Sequence, residues 1–396
     1  MRDAGNMKVF IVGDHRTGTG PANVTKEYIQ RIPAKVSYQK VVSKAARVPE
    51  LFLKIAGCDV VLFSGYSKQN LLGLRIAKAF KKPTAYLMHG CVEYENGINK
   101  VPDPKMNRVE RATLAGADRI FAVSERFASW LREHYPEQAE KIEIVANGIA
   151  QEGAEPQQKV EIFRDAPALG PRCSRYISSW KTSLSNEPAE SPKNLIFSSA
   201  PAFTDTQIAE ERNFGEASPE QFNKKTSIFS IGGGMPRKMI RYICKAVKIL
   251  RDEGIDATLT VVGAEGADTD EINSYDFVRN LGLVDSNVVR ELFKESDLFI
   301  QNSCFETFGL APVEALSNGC SVLLSKEVGA LDLIEKAADG DIINNYNDPV
   351  EIAEKIKNIL ENPNAERLLS GIDFDKYSWN ARGEALCLKL QEMLKK

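Results

Sequence analysis

The sequence predicts an α/β protein made of two Rossmann-like, doubly wound domains facing a cleft. Three observations predict it. At 396 residues the chain exceeds one ordinary core and suits two, each of roughly 150 to 200 residues. Short apolar runs alternate with longer amphipathic stretches through the first 150 residues. The same alternation restarts at Thr226, so the chain repeats one plan twice.

In the first copy the strands are Lys8 to Gly13, Asp59 to Phe63, Ala85 to Met88, Arg119 to Val123 and Ile142 to Val145. They are near-continuous runs of β-branched and aromatic residues, the mark of a parallel sheet buried on both faces. Asn70 to Phe80 and Arg108 to Ala115 read as helices between them. From 151 to 225 the chain is rich in Pro, Ser, Glu, Gln and Gly and shows no periodicity, which reads as an irregular insertion or linker. One short apolar piece there, Asn194 to Phe197, is a candidate for pairing with a sheet edge. The second copy has strands at Thr226 to Ile231, Thr258 to Gly263, Asp297 to Ile300 and Ser321 to Leu324. A helix from Pro236 to Arg251 places Ile240, Ile243, Val247 and Leu250 on one face. Asp348 and Pro349 open another that runs through Leu360, as N-cap and first helical residue, and Asn362-Pro363 ends it. A last helix runs from Trp379 to Leu394. The boundaries expected are 1–150, 151–225, 226–375 and 376–396.

Composition narrows the function. Lys and Arg number 51 against 54 Asp and Glu, a net charge of −3, which argues against nucleic acid as the main partner. Seven scattered cysteines without a Cys-x-x-Cys pair, and three histidines, suggest neither a disulfide framework nor a zinc centre. The amino-terminal residues Asp3, Asn6 and Lys8 do not read as a secretory signal, and no apolar window reaches the ~18 residues of a membrane span. The expected location is the cytoplasm. Lys78, Lys81 and Lys82 follow the apolar residues Leu71, Leu72, Leu74 and Ile76. They read first as a solvated helix face and second as a contact with a membrane surface.

The segment that carries chemistry is Phe305-Glu306-Thr307-Phe308-Gly309-Leu310-Ala311-Pro312-Val313-Glu314, followed by Ala315-Leu316-Ser317-Asn318-Gly319. It follows a strand and opens a short helix, so the backbone N–H groups of Phe308, Gly309 and Leu310 point out of the strand's carboxyl end with a helix dipole behind them. That is an anion site suited to a diphosphate. Gly309 permits close backbone approach. Glu314 lies in the first helical turn, where its two oxygens can accept from vicinal ribose hydroxyls. Glu306, with seven residues between it and Glu314, sits on the strand-to-helix loop within reach of the group beyond the phosphates.

These residues resemble the Glu-x(7)-Glu pattern of the retaining glycosyltransferases of family 4, and so does the Ala315-Leu316-Ser317-Asn318-Gly319-Cys320 that follows. Val288 to Phe293, Asp297 to Ile300, Glu327 to Ala330 and Tyr377-Ser378-Trp379 are similar to that family too, and the resemblance covers both domains but skips 151–225. It implies the GT-B fold, in which the amino-terminal domain faces the acceptor, the carboxyl-terminal one holds the nucleotide sugar, and the last helix crosses back to the first domain. It implies Thr307, Phe308, Gly309, Leu310 and Glu314 as donor-binding residues and Glu306 as catalytic. The family also holds the diphosphate with an arginine and a lysine on the loop after the second domain's first strand. Here that loop reads Ile231-Gly232-Gly233-Gly234-Met235-Pro236-Arg237-Lys238. Lys238 matches the lysine, but glycine stands where the arginine is expected. Either Arg237 compensates or the glycine backbone around Gly233 forms the cradle.

In the first domain Gly18-Thr19-Gly20-Pro21 leads into a helix, with Asn23 where a dinucleotide fingerprint has its third glycine. The resemblance places Gly18 and Gly20 under the transferred sugar and acceptor. His89, at the carboxyl edge of its strand, is implied as catalytic, set against the donor sugar. Glu93 and Glu95 read as solvated, and His15 as either structural or functional. Asp268-Thr269-Asp270 and Asp373-Phe374-Asp375 match the letters of a metal triplet, but neither follows a strand of a nucleotide domain, so no metal is expected. The expected reaction is hexosyl transfer from a nucleoside diphosphate sugar, the co-substrate, to a carbohydrate or lipid-linked acceptor in polysaccharide or glycolipid synthesis. No other cofactor is expected. The rivals are a non-catalytic donor-binding subunit and a nucleotide-sugar epimerase or hydrolase on the same scaffold.

Overall fold

The computed structural model describes residues 6–40, 44–150 and 225–395. The stretch 151–224, with the apolar piece Asn194 to Phe197, lies outside them. Two six-stranded sheets are present, every pairing in them is parallel, and both belong to one compact unit.

The first sheet contains β1 (Lys8–Gly13), β2 (Lys35–Tyr38), β3 (Val60–Ser64), β4 (Thr84–Met88), β5 (Arg119–Ala122) and β6 (Ile142–Ile144), in the order β2-β1-β3-β4-β5-β6. Its helices are α1 (Gly20–Arg31), α2 (Lys44–Gly57), α3 (Lys68–Ala79), α4 (Val92–Ile98), α5 (Pro104–Gly116) and α6 (Glu125–His134). The second sheet contains β7 (Thr226–Ile231), β8 (Ala257–Val262), β9 (Val278–Asn280), β10 (Leu298–Gln301), β11 (Ser321–Ser325) and β12 (Ile342–Ile343), in the order β12-β11-β10-β7-β8-β9. With it go α7 (Ile240–Asp252), α8 (Thr269–Asn273), α9 (Ser286–Glu295), α10 (Ala311–Ser317), α11 (Pro349–Glu361) and α12 (Ala365–Leu369). Val60 to Ser64, Thr84 to Met88 and Ser321 to Ser325 are buried along their whole length, as strands covered by helices on both faces must be. Each sheet reverses its winding once, between β1 and β3 in the first and between β7 and β10 in the second. In open α/β sheets the ligand crevice lies outside the strand ends at such a reversal.

The expected strands are all present, displaced by a residue or two at most. The helix expected from Pro236 to Arg251 is broken. Pro236–Lys238 is a separate 3₁₀ turn, Met239 is left-handed at φ 50°, and α7 begins only at Ile240. A left-handed non-glycine residue costs about 1–2 kcal/mol. Here the buried Met239 side chain holds the break, which turns Arg237 and Lys238 toward β10 instead of along the helix. The short strands β2, β9 and β12 and the helices α2, α4, α6, α8, α9 and α12 escape the sequence reading.

The last helix, α13 (Trp379–Glu392), returns to the first domain and packs on α1. Its N-cap Ser378 accepts from the Ala381 N–H at 3.2 Å, and Trp379 meets Tyr28 edge to face at 5.7 Å. Arg31 donates to the Asn380 side chain at 2.9 Å. Gly383 lies so close to α1 that an added Cβ would stand 2.5 Å from the Arg31 carbonyl oxygen. Gly383→Val is therefore expected to force the helices apart and cost about 1–3 kcal/mol, the usual scale of overpacking. A urea unfolding midpoint equal to that of the wild type would show that this contact does not hold the terminal helix.

Candidate functional site

The site is built at the carboxyl ends of β7 and β10, the strands that flank the second sheet's reversal. β7 delivers the loop Gly232 to Lys238, and β10 delivers Gln301 and then Glu306. Lys238 Nζ makes a very short ion pair with Glu306 Oε2. The same carboxylate oxygen lies 3.5 Å from Arg237 Nη1 and accepts from Gln301 Nε2 at 3.0 Å. Arg237 Nη1 also donates to the Phe305 carbonyl at 3.3 Å. Burial alone would raise the Glu306 carboxyl, but Lys238 and then Arg237 hold it below the usual carboxylate range. Burial lowers the Lys238 ammonium against the pull of Glu306. Arg237 stays charged, since Glu306 and Glu95 more than offset its burial.

The backbone N–H groups of the glycine loop are turned to the end of β8. The N–H groups of Gly232 and Gly233 donate to the Val262 carbonyl at 2.7 and 2.9 Å, and that of Gly234 donates to Ala264 at 3.0 Å. Gly233 has φ 55°, and a Cβ there would stand 2.1 Å from the Ala264 carbonyl oxygen. An arginine does not fit at this position, so the glycine is required by the loop's packing against the end of β8. Of the two readings of this loop, the compensating Arg237 is the one whose side chain reaches the site.

Phe308, Gly309 and Leu310 lie at the start of α10. Leu310, its N-cap, has no side-chain oxygen to satisfy the first amides, and among the described residues the N–H groups of Gly309 and Leu310 meet no acceptor. Gly309 is left-handed at φ 82°, and a Cβ would press on Gln301 and on Glu306 Cγ, both at 3.1 Å. Glu314 stands exposed in the first turn of α10. Thr307 points the other way. Its hydroxyl donates to the His89 carbonyl, and its own carbonyl accepts from the buried Ser124 Oγ at 2.5 Å. It thus ties the two domains together rather than offering its hydroxyl to a ligand. Nearby, Arg126 holds Asp332 through its backbone N–H at 3.0 Å and its Nε at 3.1 Å.

From the first domain comes His89, one residue past β4. Its Nε2 lies 2.8 Å from Ser64 Oγ, which lies 2.6 Å from Thr25 Oγ1, and Thr25 donates to the Pro21 carbonyl at 2.8 Å. With the Thr25 proton given to Pro21, Ser64 donates to Thr25 and His89 donates from Nε2. That assigns the Nε2–H tautomer and leaves Nδ1 as an acceptor. Nδ1 is buried and has no partner among the described residues. Burial lowers the imidazole to about 4, so it is neutral near neutral pH. Gly18, at φ 72°, and Gly20 at the start of α1 are exposed with open space around them. His15 packs edge to face on Tyr38 at 5.1 Å.

Glu93 and Glu95 are not solvated charges. Glu93 takes a bidentate pair from Arg111, and Glu95 Oε2 lies 3.5 Å from Arg237 Nε. Their helix α4 is capped from α5 by Glu110, which accepts from the Val92 and Glu93 N–H groups at 3.0 Å each and which burial pushes up to about 7. Sequence reasoning also missed Ser64, Thr25, Gln301 and Ser124. The one signal available was a polar residue closing an otherwise apolar strand, as Ser64 closes β3 and Gln301 closes β10. In the acidic triplets, Asp268 is buried against Arg241 at 2.9 Å and Asp373 accepts from the Lys376 N–H at 2.8 Å.

Two family models match this chain: the one described as Glycosyltransferase Family 4 over residues 3–152, and Glycosyl transferases group 1 over residues 212–370. The chain belongs to the family 4-like glycosyltransferases. An uncharacterised glycosyltransferase of Methanocaldococcus jannaschii is 27% identical over 224 residues, which cover 52% of this chain and 55% of that protein. A sucrose synthase of Acidithiobacillus caldus is 35% identical over 83 residues, 20% of this chain and 10% of that one. The match therefore spans about half the length of the first relative and a tenth of the second. Among solved structures, Anabaena HepE in complex with UDP and glucose has a TM-score of 0.60 at 13% identity, covering 98% of this chain and 100% of its own. Sucrose-phosphate synthase from Thermosynechococcus elongatus has a TM-score of 0.61 at 14% identity, with 98% and 100% covered. At such identities the likeness is one of fold, and that fold is GT-B.

The buried imidazole gives a pH test of the site. The unfolded His89 titrates near 6.5 and the folded one near 4, so between those values the unfolded chain takes a proton that the folded chain refuses. Its contribution to stability is whole above pH 6.5 and falls as pH drops toward 4, with a ceiling of roughly 3 kcal/mol. Urea unfolding across this window should show the wild type losing more stability than His89→Gln. Parallel curves would mean that His89 is not held neutral.

Proposed function

We propose that the protein transfers a hexose from a nucleoside diphosphate sugar to an acceptor hydroxyl with retention of anomeric configuration, without a metal. The observation that carries this is the convergence of Lys238, Arg237 and Glu306 beside the open amino end of α10, at the reversal point of the second sheet. Two cations and a set of unpaired amides form a diphosphate site, and the UDP and UDP-glucose bound to the structurally similar HepE agree with that reading.

In this reading residues 226–375 hold the donor and residues 1–150 face the acceptor, with Gly18 and Gly20 leaving room for it. Glu314 accepts from the ribose hydroxyls. As the bond from the anomeric carbon to the phosphate oxygen breaks, negative charge grows on the diphosphate, where Lys238, Arg237 and the amides of Gly309 and Leu310 stabilise it. The neutral His89 accepts a sugar hydroxyl at Nδ1, and Glu306 orients the same sugar. Asp and Glu pairs of the kind that perform hydrolysis are not assigned here, so retention rests on the family resemblance.

Calorimetry against UDP, GDP, ADP, CMP and dTDP tests the donor site. One diphosphate should bind, and Glu314→Ala should weaken it about 10- to 100-fold, the loss of hydrogen bonds to a charged group. Equal affinity in that variant would remove Glu314 from the site. Glu306→Ala should lower kcat about 100-fold, a larger effect than on the nucleotide dissociation constant, and unimpaired turnover would refute its role.

A lipid-linked acceptor is supported by a separate surface. Phe52 and Leu53 on α2 and Phe80 after α3 are 47%, 77% and 42% exposed, with the Phe52 and Phe80 rings 6.3 Å apart. Lys78 and Lys81 are exposed beside them, whereas Lys82 donates to the Cys58 carbonyl at 2.7 Å. Among the described residues no helix is long and apolar enough to cross a membrane. Exposed aromatic side chains beside two lysines suit peripheral contact with an anionic bilayer at the inner membrane face. The protein should float with anionic liposomes and Phe52→Ser/Phe80→Ser should not; wild type left at the bottom of the gradient would sink the idea.

A further inference from the structure

Each cation at this site already has a carboxylate. Lys238 lies against Glu306, and Arg237 lies between Glu306 and Glu95. Glu306 shares a domain with both cations, but Glu95 reaches them from the first domain on α4. Its carboxylate is folded over Gly90, where an added Cβ would meet Oε1 at 2.3 Å, and its side chain is only 23% exposed. Arg237 is fastened to the other end of the same helix, since its backbone N–H donates to Asn99 Oδ1 at 3.2 Å. Burial raises the Glu95 carboxyl and Glu306 adds to that, while Arg237 and Lys238 oppose it.

A diphosphate and a carboxylate compete for the same guanidinium hydrogens. The loop offers no second arginine, because Gly233 has no space for one. Resting on the donor-site reading above, we propose that Glu95 is the resident counter-ion of a diphosphate-binding Arg237 and that a bound donor displaces it. Glu95 then sets donor affinity from the opposite domain. Filling the donor site breaks an ion pair between the domains, so donor occupancy and interdomain contact are coupled. Glu95 is a positioning residue acting through Arg237, and Glu306 keeps its place beside Lys238.

The test is calorimetry with UDP, GDP and ADP, each beside its nucleoside, on the full chain and on Glu95→Gln, Arg237→Gln and the double variant. Glu95→Gln preserves shape and removes the charge. It should bind the nucleoside diphosphate about five- to tenfold more tightly, the scale of one interfacial charge. It should bind the nucleoside as the wild type does, and the gain should vanish when Arg237 is also changed. Diphosphate binding that is unchanged or weaker in Glu95→Gln overturns the proposal, as does a gain shared by the nucleoside or one that persists without Arg237. Binding of none of the three diphosphates by any of the four proteins overturns the donor-site reading itself, a result distinct from binding that ignores Glu95.

Discussion

The ion pair between Lys238 and Glu306 organises the site, because neither charge is tolerable in its place without the other. Both side chains are only 13% exposed. A single buried charge would neutralise or draw in water, while a pair with further hydrogen bonds holds its geometry. Gln301 and Arg237 supply those bonds. The demand reaches back into the backbone. Met239 must turn left-handed so that Lys238 faces β10, and Gly309 must lack a side chain so that Glu306 and Gln301 can meet beneath it.

Polar contacts join the two domains at this point, beside an apolar one in which Phe305 packs on Tyr94, Phe127 and Trp130. Ser124 caps α6 through the Phe127 N–H at 3.1 Å and also donates to the Thr307 carbonyl. Thr307 in turn reaches the His89 carbonyl, so the loops after β4, β5 and β10 are locked together at their strand ends. Hydrogen bonds fix orientation where apolar burial, which is non-directional, does not. They hold the neutral imidazole of one domain and the charged cluster of the other in a fixed relation.

Much of this was legible in the sequence, for reasons that differ by element. Buried parallel strands such as Val60–Ser64 and Thr84–Met88 declare themselves because both faces must be apolar. The α11 helix announces its start through Asp348, which accepts from Val350 and Glu351 at 2.9 and 3.3 Å. The Glu306 to Glu314 segment was legible because a strand, a glycine and a helix start follow one another there, with two acids at the spacing of a known family pattern. The break at Met239 was hidden, since Ile240, Ile243, Val247 and Leu250 keep the helical period on one side of it. Glu95 was misread as solvated because a single acid in a loop carries no mark of its partner 142 residues away in the chain, and nothing local to Gly233, read as donor-binding, shows that its amide donates to Val262 at the end of β8.

The sequence by itself determined the fold class, the repeat of one α/β plan and the place of the Glu306 to Glu314 motif between strand and helix, because each depends on local periodicity and spacing. Only the tertiary structure decided which charges meet: that Arg237 rather than the glycine loop faces Glu306, that Glu95 crosses to Arg237, and that Ser64 and Thr25 set the His89 tautomer. Those are contacts between distant strand ends. Their partners are chosen by the geometry of two sheets brought face to face, which no local pattern encodes.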